Sequence, residues 1–269
     1  HYPLKDVFDG GRKQGFYKED LPGHWIVLTC RLVRRRARMA HKIFPHKSFQ
    51  QIAPGVWQLE GSLPFPLKRN MTVVKLSGGG LLIYSAIALD DAGFTELEKL
   101  GNPEIIVVPQ PFHVMDLAFY KQKYPQLRVL GPKQGEEFNG VRVEADVVTA
   151  LTDANVMASL APGLKNPEVH LKIKVPGGYA LCVCDIFAGK NCYEQGLGAS
   201  IFKWLLGTSN DGFGIAKIVK WRQIADRAAV KNWASGLAVD QQLKMVLVCH
   251  GEPFKDDMAT AMRQAAAVL

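Results

Sequence analysis

What this 269-residue chain lacks narrows it first. Cysteine is scarce: Cys30, Cys182, Cys184, Cys192 and Cys249 are odd in number, with no CxxC pair and no zinc-ribbon spacing. A disulfide framework is therefore not expected, and the reading is of a reducing, cytoplasmic compartment. No apolar run approaches the roughly 20 residues that crossing a bilayer requires. Residues 25–42 (WIVLTCRLVRRRARMAHK) begin apolar but turn basic early, with no small-residue cleavage site after them. They read as a basic amphipathic helix, not as a spanning helix or a secretory signal. A phosphate loop is missing too: Gly78-Gly79-Gly80 lies between two strand-like runs with no helix behind it, which is turn chemistry. There is no repeat of fixed period and no low-complexity segment.

What is present is an ordinary globular composition, 48% hydrophobic and 22% charged, enough for one large domain. The net charge of +8 is lopsided, because residues 1–48 hold eleven Lys/Arg against four acids. The remainder is nearly neutral, so the high pI says nothing about an active site. The division expected is a basic N-terminal arm and helix over 1–48 and a main domain over 49–269. The arm would contact an anionic membrane surface or a protein partner, and nucleic acid is not an expected partner.

Three short apolar runs stop abruptly at polar side chains. Residues 179–184 end at Asp185, residues 245–249 end at His250, and residues 105–108 are followed by His113. Runs this short, β-branched or aliphatic and bounded by turn residues, read as buried strands. In layered α/β folds the groups just past such strand ends gather at one sheet edge, where ligands bind. The hairpin 71–84 comes early, αβ units alternate in the middle, and residues 193–238 form a helical block. A strand and a helix close the chain, giving an α/β arrangement with mixed strand direction. His170, in Glu168-Val169-His170-Leu171, reads as structural, and Cys184 and Cys249 read as small buried hydrophobes. Lys220-Trp221-Arg222 reads as an interface between the helical block and the sheets, or else as an anion contact at a cleft.

With these elements in order, the chain resembles the metallo-β-lactamase fold, an αββα four-layer sandwich, from about Ile52 to Leu269. Residues 52–57 resemble its opening strand and residues 70–74 its second. Leu81-Leu82-Ile83-Tyr84 resembles the strand that usually ends in an aspartate, here Ser85. Pro109-Gln110-Pro111-Phe112-His113-Val114-Met115-Asp116 stands where the family has HxHxDH, and Ala161-Pro162-Gly163-Leu164 where it has a ligand histidine after Pro-Gly. Cys184-Asp185 matches the pair that supplies a bridging aspartate, and Cys249-His250-Gly251 the closing His-Gly.

The resemblance implies a degenerate site. Pro111 replaces the first motif histidine, Met115 the aspartate, Asp116 the final histidine and Leu164 the later ligand histidine. His113, Asp185 and His250 survive, with Asp116 as a substitute oxygen ligand. Such a set implies one divalent ion, Zn, Mn or Fe, held by some of His113, Asp116, Asp185 and His250. Asp185 and His250 would be central to catalysis on an ester, thioester, lactone or phosphoester. The alternative is a non-catalytic binding or scaffold protein on the same fold, with no metal at all.

Overall fold

Strand alternation builds the layers. The computed structural model describes residues 41–207 and 212–269. In the first sheet β1 (Gln50–Ala53), β2 (Val56–Ser62), β3 (Lys68–Lys75), β4 (Leu81–Tyr84), β5 (Pro103–Val107) and β6 (Arg128–Gly131) lie side by side in that order. A small ribbon, β7 (Glu137–Phe138) with β8 (Val141–Arg142), leads to β9 (Ala145–Asp146), the seventh strand. Pairing is antiparallel from β1 to β4 and parallel from β4 onward. In the second sheet β10 (Val156–Leu160), β11 (Val169–Val175) and β12 (Gly178–Val183) are antiparallel, and β13 (Leu243–Val248) joins β12 in parallel.

Along β4, Leu82 and Tyr84 face the second sheet while Leu81 and Ile83 face outward. Along β12, Ala180 and Cys182 face the first sheet while Leu181 and Val183 face outward. Both sheets are thus apolar on two faces, and helices cover the outer ones. Helix α1 (Asp91–Leu100) packs Phe94 and Leu97 onto the first sheet, as does α2 (Leu117–Lys123) with Leu117 and Tyr120. A single turn, α3 (Val147–Ala150), precedes β10. After β12 come α4 (Leu197–Leu206), α5 (Lys217–Arg222) and α6 (Arg227–Val239), and α7 (Met258–Ala267) follows β13. Val230 and Ala234 of α6 and Met262 and Ala265 of α7 cover the second sheet. The expected αββα sandwich is therefore found. Tyr84 ties its two sheets together, donating its hydroxyl to the Val169 carbonyl at 2.6 Å.

The helical block expected at 193–238 resolves into α4, α5 and α6. His46 and Lys47 already contact the sheet: His46 bridges Gly61, and the Lys47 amide donates to the Glu60 carbonyl at 2.8 Å. The basic helix expected at 25–42 lies almost wholly outside the described residues. Among the described residues no helix is long and apolar enough to cross a membrane.

His170 is structural, as expected. It is buried at 4% exposure, its Nε2 lies 2.6 Å from Ser159 Oγ, and its ring sits 5.3 Å from that of Trp233. Burial, with a smaller contribution from Lys172, lowers its pKa from 6.5 to about 4. The folded protein therefore refuses a proton that the unfolded chain accepts, so stability falls as pH drops from about 6.5 to about 4. The full shift is worth about 3 kcal/mol. His170→Gln is expected to flatten this part of the pH profile of the chemical-denaturation midpoint; an unchanged slope would assign the acid sensitivity to other groups.

Candidate metal centre

The parallel pairing of β12 with β13 sets the site. Val183 stands opposite Val248, so two residues further on Asp185 and His250 leave adjacent strands side by side. The chain must then turn at once. Gly251 takes φ +95°, and a Cβ there would lie 2.6 Å from the Gly189 carbonyl oxygen, so only glycine fits. From the other sheet Asn70 on β3 holds this turn, its Nδ2 donating to the Val248 and Gly251 carbonyls at 2.9 and 2.6 Å. His113 arrives from the loop after β5. Its Nδ1 lies 2.9 Å from Oγ of Ser85, the residue directly after β4.

Three of the four expected ligands meet here. Asp185 Oδ1 is 3.2 Å from His113 Nε2 and 3.1 Å from His250 Nε2, and the two imidazole centroids are 5.3 Å apart. One ligand atom from each lies within 4.8 Å of the others, and the side chains are only 10–15% exposed. The second carboxylate oxygen, Oδ2, accepts from Gln110 Nε2 in a short hydrogen bond and from Gln223 Nε2 at 3.4 Å.

The hydrogen bonds leave a place for either a proton or a metal ion between these atoms. His250 Nδ1 is 2.6 Å from the Lys68 carbonyl oxygen, which can only accept, so Nδ1 carries the proton. In the neutral tautomer Nε2 is then a lone pair facing a carboxylate oxygen. Two acceptors that close repel each other unless a proton or a metal ion stands between them. A carbonyl that fixes the tautomer and turns the other nitrogen inward is the usual support of a metal-bound histidine. Without an ion, a proton serves. Burial opposes charge on His113, but Asp185 outweighs it and raises the pKa from 6.5 to about 10. Burial likewise works against ionisation of Asp185, and the two histidines overcome it, holding its pKa well below the usual carboxylate range.

Asp116 does not join this group. It is 1% exposed, with Oδ2 2.6 Å from Arg69 Nη2, and it stands at the start of α2. A buried carboxylate already facing a buried guanidinium has its charge compensated, so it has no need of an ion. Met115, where the resembled motif has an acid, is 36% exposed and lines the adjoining cavity. Leu164 packs against the helical layer.

Sequence reasoning passed over Glu168. Fully buried, it accepts from the backbone amides of Cys184, Asp185 and Ile186 at 3.0–3.4 Å, bracing the segment that carries Asp185. Burial, added to by the charge of Asp185, pushes its pKa up to about 8, while these amides pull the other way. A lone acid at the head of an apolar strand was the one available signal. Beneath the site the register also sets Cys184 opposite Cys249, and both thiols lie within 4.8 Å of a His113 nitrogen. Both are buried, as expected. Burial pushes Cys184 well up; for Cys249 the hydrogen bonds to Cys184 and His113 overcome burial and bring it down.

A cavity of about 340 Å³ opens over Asp185, His113 and His250. Its walls include Leu63, Phe65, Phe112, Ile218 and Val219, with Arg69, already paired to Asp116, at its edge. That volume suits a small organic molecule with an apolar part.

Solved structures share this architecture. DIM-1 metallo-β-lactamase superposes on 83% of this chain and 99% of its own length, with a TM-score of 0.56 at 9% identity. The metallo-β-lactamase from Erythrobacter litoralis with β-mercaptoethanol in its active site matches over 82% and 96%, at 0.53 and 14% identity. FIM-1 from Pseudomonas aeruginosa, in its mono-zinc form, matches over 84% and 97%, at 0.51 and 13% identity. No family model matches the chain, and no curated protein does. At such identities the likeness is one of fold.

Proposed function

We propose that this chain, which has the metallo-β-lactamase fold, is a hydrolase with a single divalent ion held by His113, Asp185 and His250. The observation that carries the reading is the convergence of three donors from three distant segments, with His250 Nε2 turned inward by its Nδ1–carbonyl bond. Two nitrogens and one carboxylate oxygen suit Zn, Mn or Fe(II) and leave coordination positions open. Such an ion, when bound, would make water a better nucleophile near neutral pH and would polarise the bond to be cleaved.

The chain's own residues supply the rest. Gln110 and Gln223 fix Asp185 through Oδ2, which leaves Oδ1 toward the histidines. Lys68 and Ser85 fix the two imidazoles. The apolar walls hold the acyl or alkyl part and exclude bulk water. Water's oxygen bonds to the carbonyl carbon or phosphorus, the bond to the leaving oxygen or sulfur breaks, and the leaving group departs with a proton. An ester, thioester, lactone or phosphoester meets these conditions.

The rival, a scaffold without metal, draws on one observation: the three side chains satisfy one another when Asp185 Oδ1 receives a proton from each imidazole. Metal analysis separates the two. The purified protein is expected to hold one equivalent of ion and to melt higher on adding Zn, Mn or Fe. Asp185→Ala combined with His250→Ala is expected to lose both properties. A wild-type protein with no ion and an unmoved melting temperature would establish the scaffold.

A further inference from the structure

The expectation that Lys220-Trp221-Arg222 is buried between the helical block and the sheets is not met. Trp221 is 71% exposed, with Arg222 stacked over its ring at 5.3 Å. It has company. On α4, Leu197, Ile201, Trp204 and Leu205 fall at helical spacing on one stripe and all point to solvent, Leu197 at 80% and Trp204 at 72% exposure. Lys217 joins the two helices, its Nζ donating to the Trp204 carbonyl at 2.8 Å. Monomers rarely leave so many large apolar side chains together in water.

Charge decides what covers them. Residues 195–223 contain Lys203, Lys217, Lys220 and Arg222 against a single acid, Asp211. Protein–protein interfaces are depleted in lysine. Tryptophan and leucine on one side with lysine and arginine around them is instead the composition of a surface that lies in a lipid headgroup layer. Place matters as well: Ile218 and Val219 of α5 form part of the cavity wall, so the helix that presents Trp221 to solvent also borders the site. Phe112, at the cavity rim, is 65% exposed.

We propose that α4 and α5 dock this protein on an anionic lipid bilayer, and that the cavity draws its substrate, a lipid bearing the hydrolysable ester-type bond, from that bilayer. The second half rests on the hydrolase reading above; the first does not.

The test uses the full chain, with vesicles of phosphatidylcholine alone and vesicles with an equal part of phosphatidylglycerol. Co-sedimentation with the anionic vesicles only, weakening as salt is added, is expected. Trp204→Ser with Trp221→Ser is expected to reduce partitioning at least about tenfold. Lys220→Glu with Arg222→Glu is expected to do so by about tenfold or more. Neither pair touches the metal centre, so hydrolysis of a soluble short-chain ester stays at the wild-type rate while hydrolysis of a long-chain ester in vesicles drops with binding. Wild-type protein that ignores anionic vesicles overturns the docking. So do surface variants that bind as well as wild type, which would hand the contact to the basic arm. Self-association lost in the Trp204→Ser variant, without vesicle binding, overturns it in favour of a second copy. Vesicle binding without hydrolysis of any ester upholds the docking and overturns the hydrolase reading together with substrate delivery.

Discussion

Asp185→Asn is expected to lower ion affinity and any ion-dependent hydrolysis at least about 100-fold, beyond the effect typical of residues that merely support a ligand, while the metal-free protein stays folded and as stable as before. An amide has the shape of a carboxylate but not its charge. If its oxygen takes the Oδ2 position it still accepts from Gln110 and Gln223. Its NH₂ group then occupies the Oδ1 position and donates toward the two Nε2 atoms now 3.1 and 3.2 Å away. Both imidazoles can be neutral in that arrangement, and no proton or ion is needed to separate acceptors. The variant thus completes a metal-free network in which the nitrogen lone pairs are spoken for. Loss of the ion with an unchanged denaturation midpoint is the outcome to look for. Retention of a stoichiometric ion would show that the carboxylate is not a ligand.

The second large effect concerns Asp116 and acts on stability. Asp116→Asn leaves the Arg69 guanidinium, itself 5% exposed, without its counter-charge, and removing one partner of a buried pair costs about 3–5 kcal/mol. Chemical denaturation is expected to show a loss of that size, with ion content unchanged. Replacing both members, Arg69→Met with Asp116→Leu, is expected to recover most of it, because the desolvation cost disappears with the charges. If Asp116→Asn instead releases the ion and barely moves the denaturation midpoint, Asp116 is the substitute ligand that its place in the motif suggested.

How much of this was legible in the sequence depended on how local each signal was. The runs ending at Asp185 and His250 could be read because a strand covered on both faces is apolar at every position, so its polar terminus stands out. That both polar ends share one edge came from the fold class, and their mutual distance from the parallel register. Strand β10 escaped notice: Val156-Met157-Ala158-Ser159-Leu160 has the composition of a helix as much as of a strand, and pairing with β11 decides it. The Arg69–Asp116 pair and the brace from Glu168 were invisible for a related reason. Each joins segments far apart in the chain, and nothing in an isolated arginine or glutamate names its partner. The exposure of Trp221 reversed expectation because an aromatic between two cations carries no periodic signal to say which way it faces.

The opposition of Val183 to Val248 also fixes when the site comes into being. Asp185 and His113 both precede β13 in the chain, yet the third donor hangs on that strand, which must still slot beside β12. A chain in which β13 has not yet docked therefore brings together only two of the three donors, and their gathering reports that this strand has paired in register.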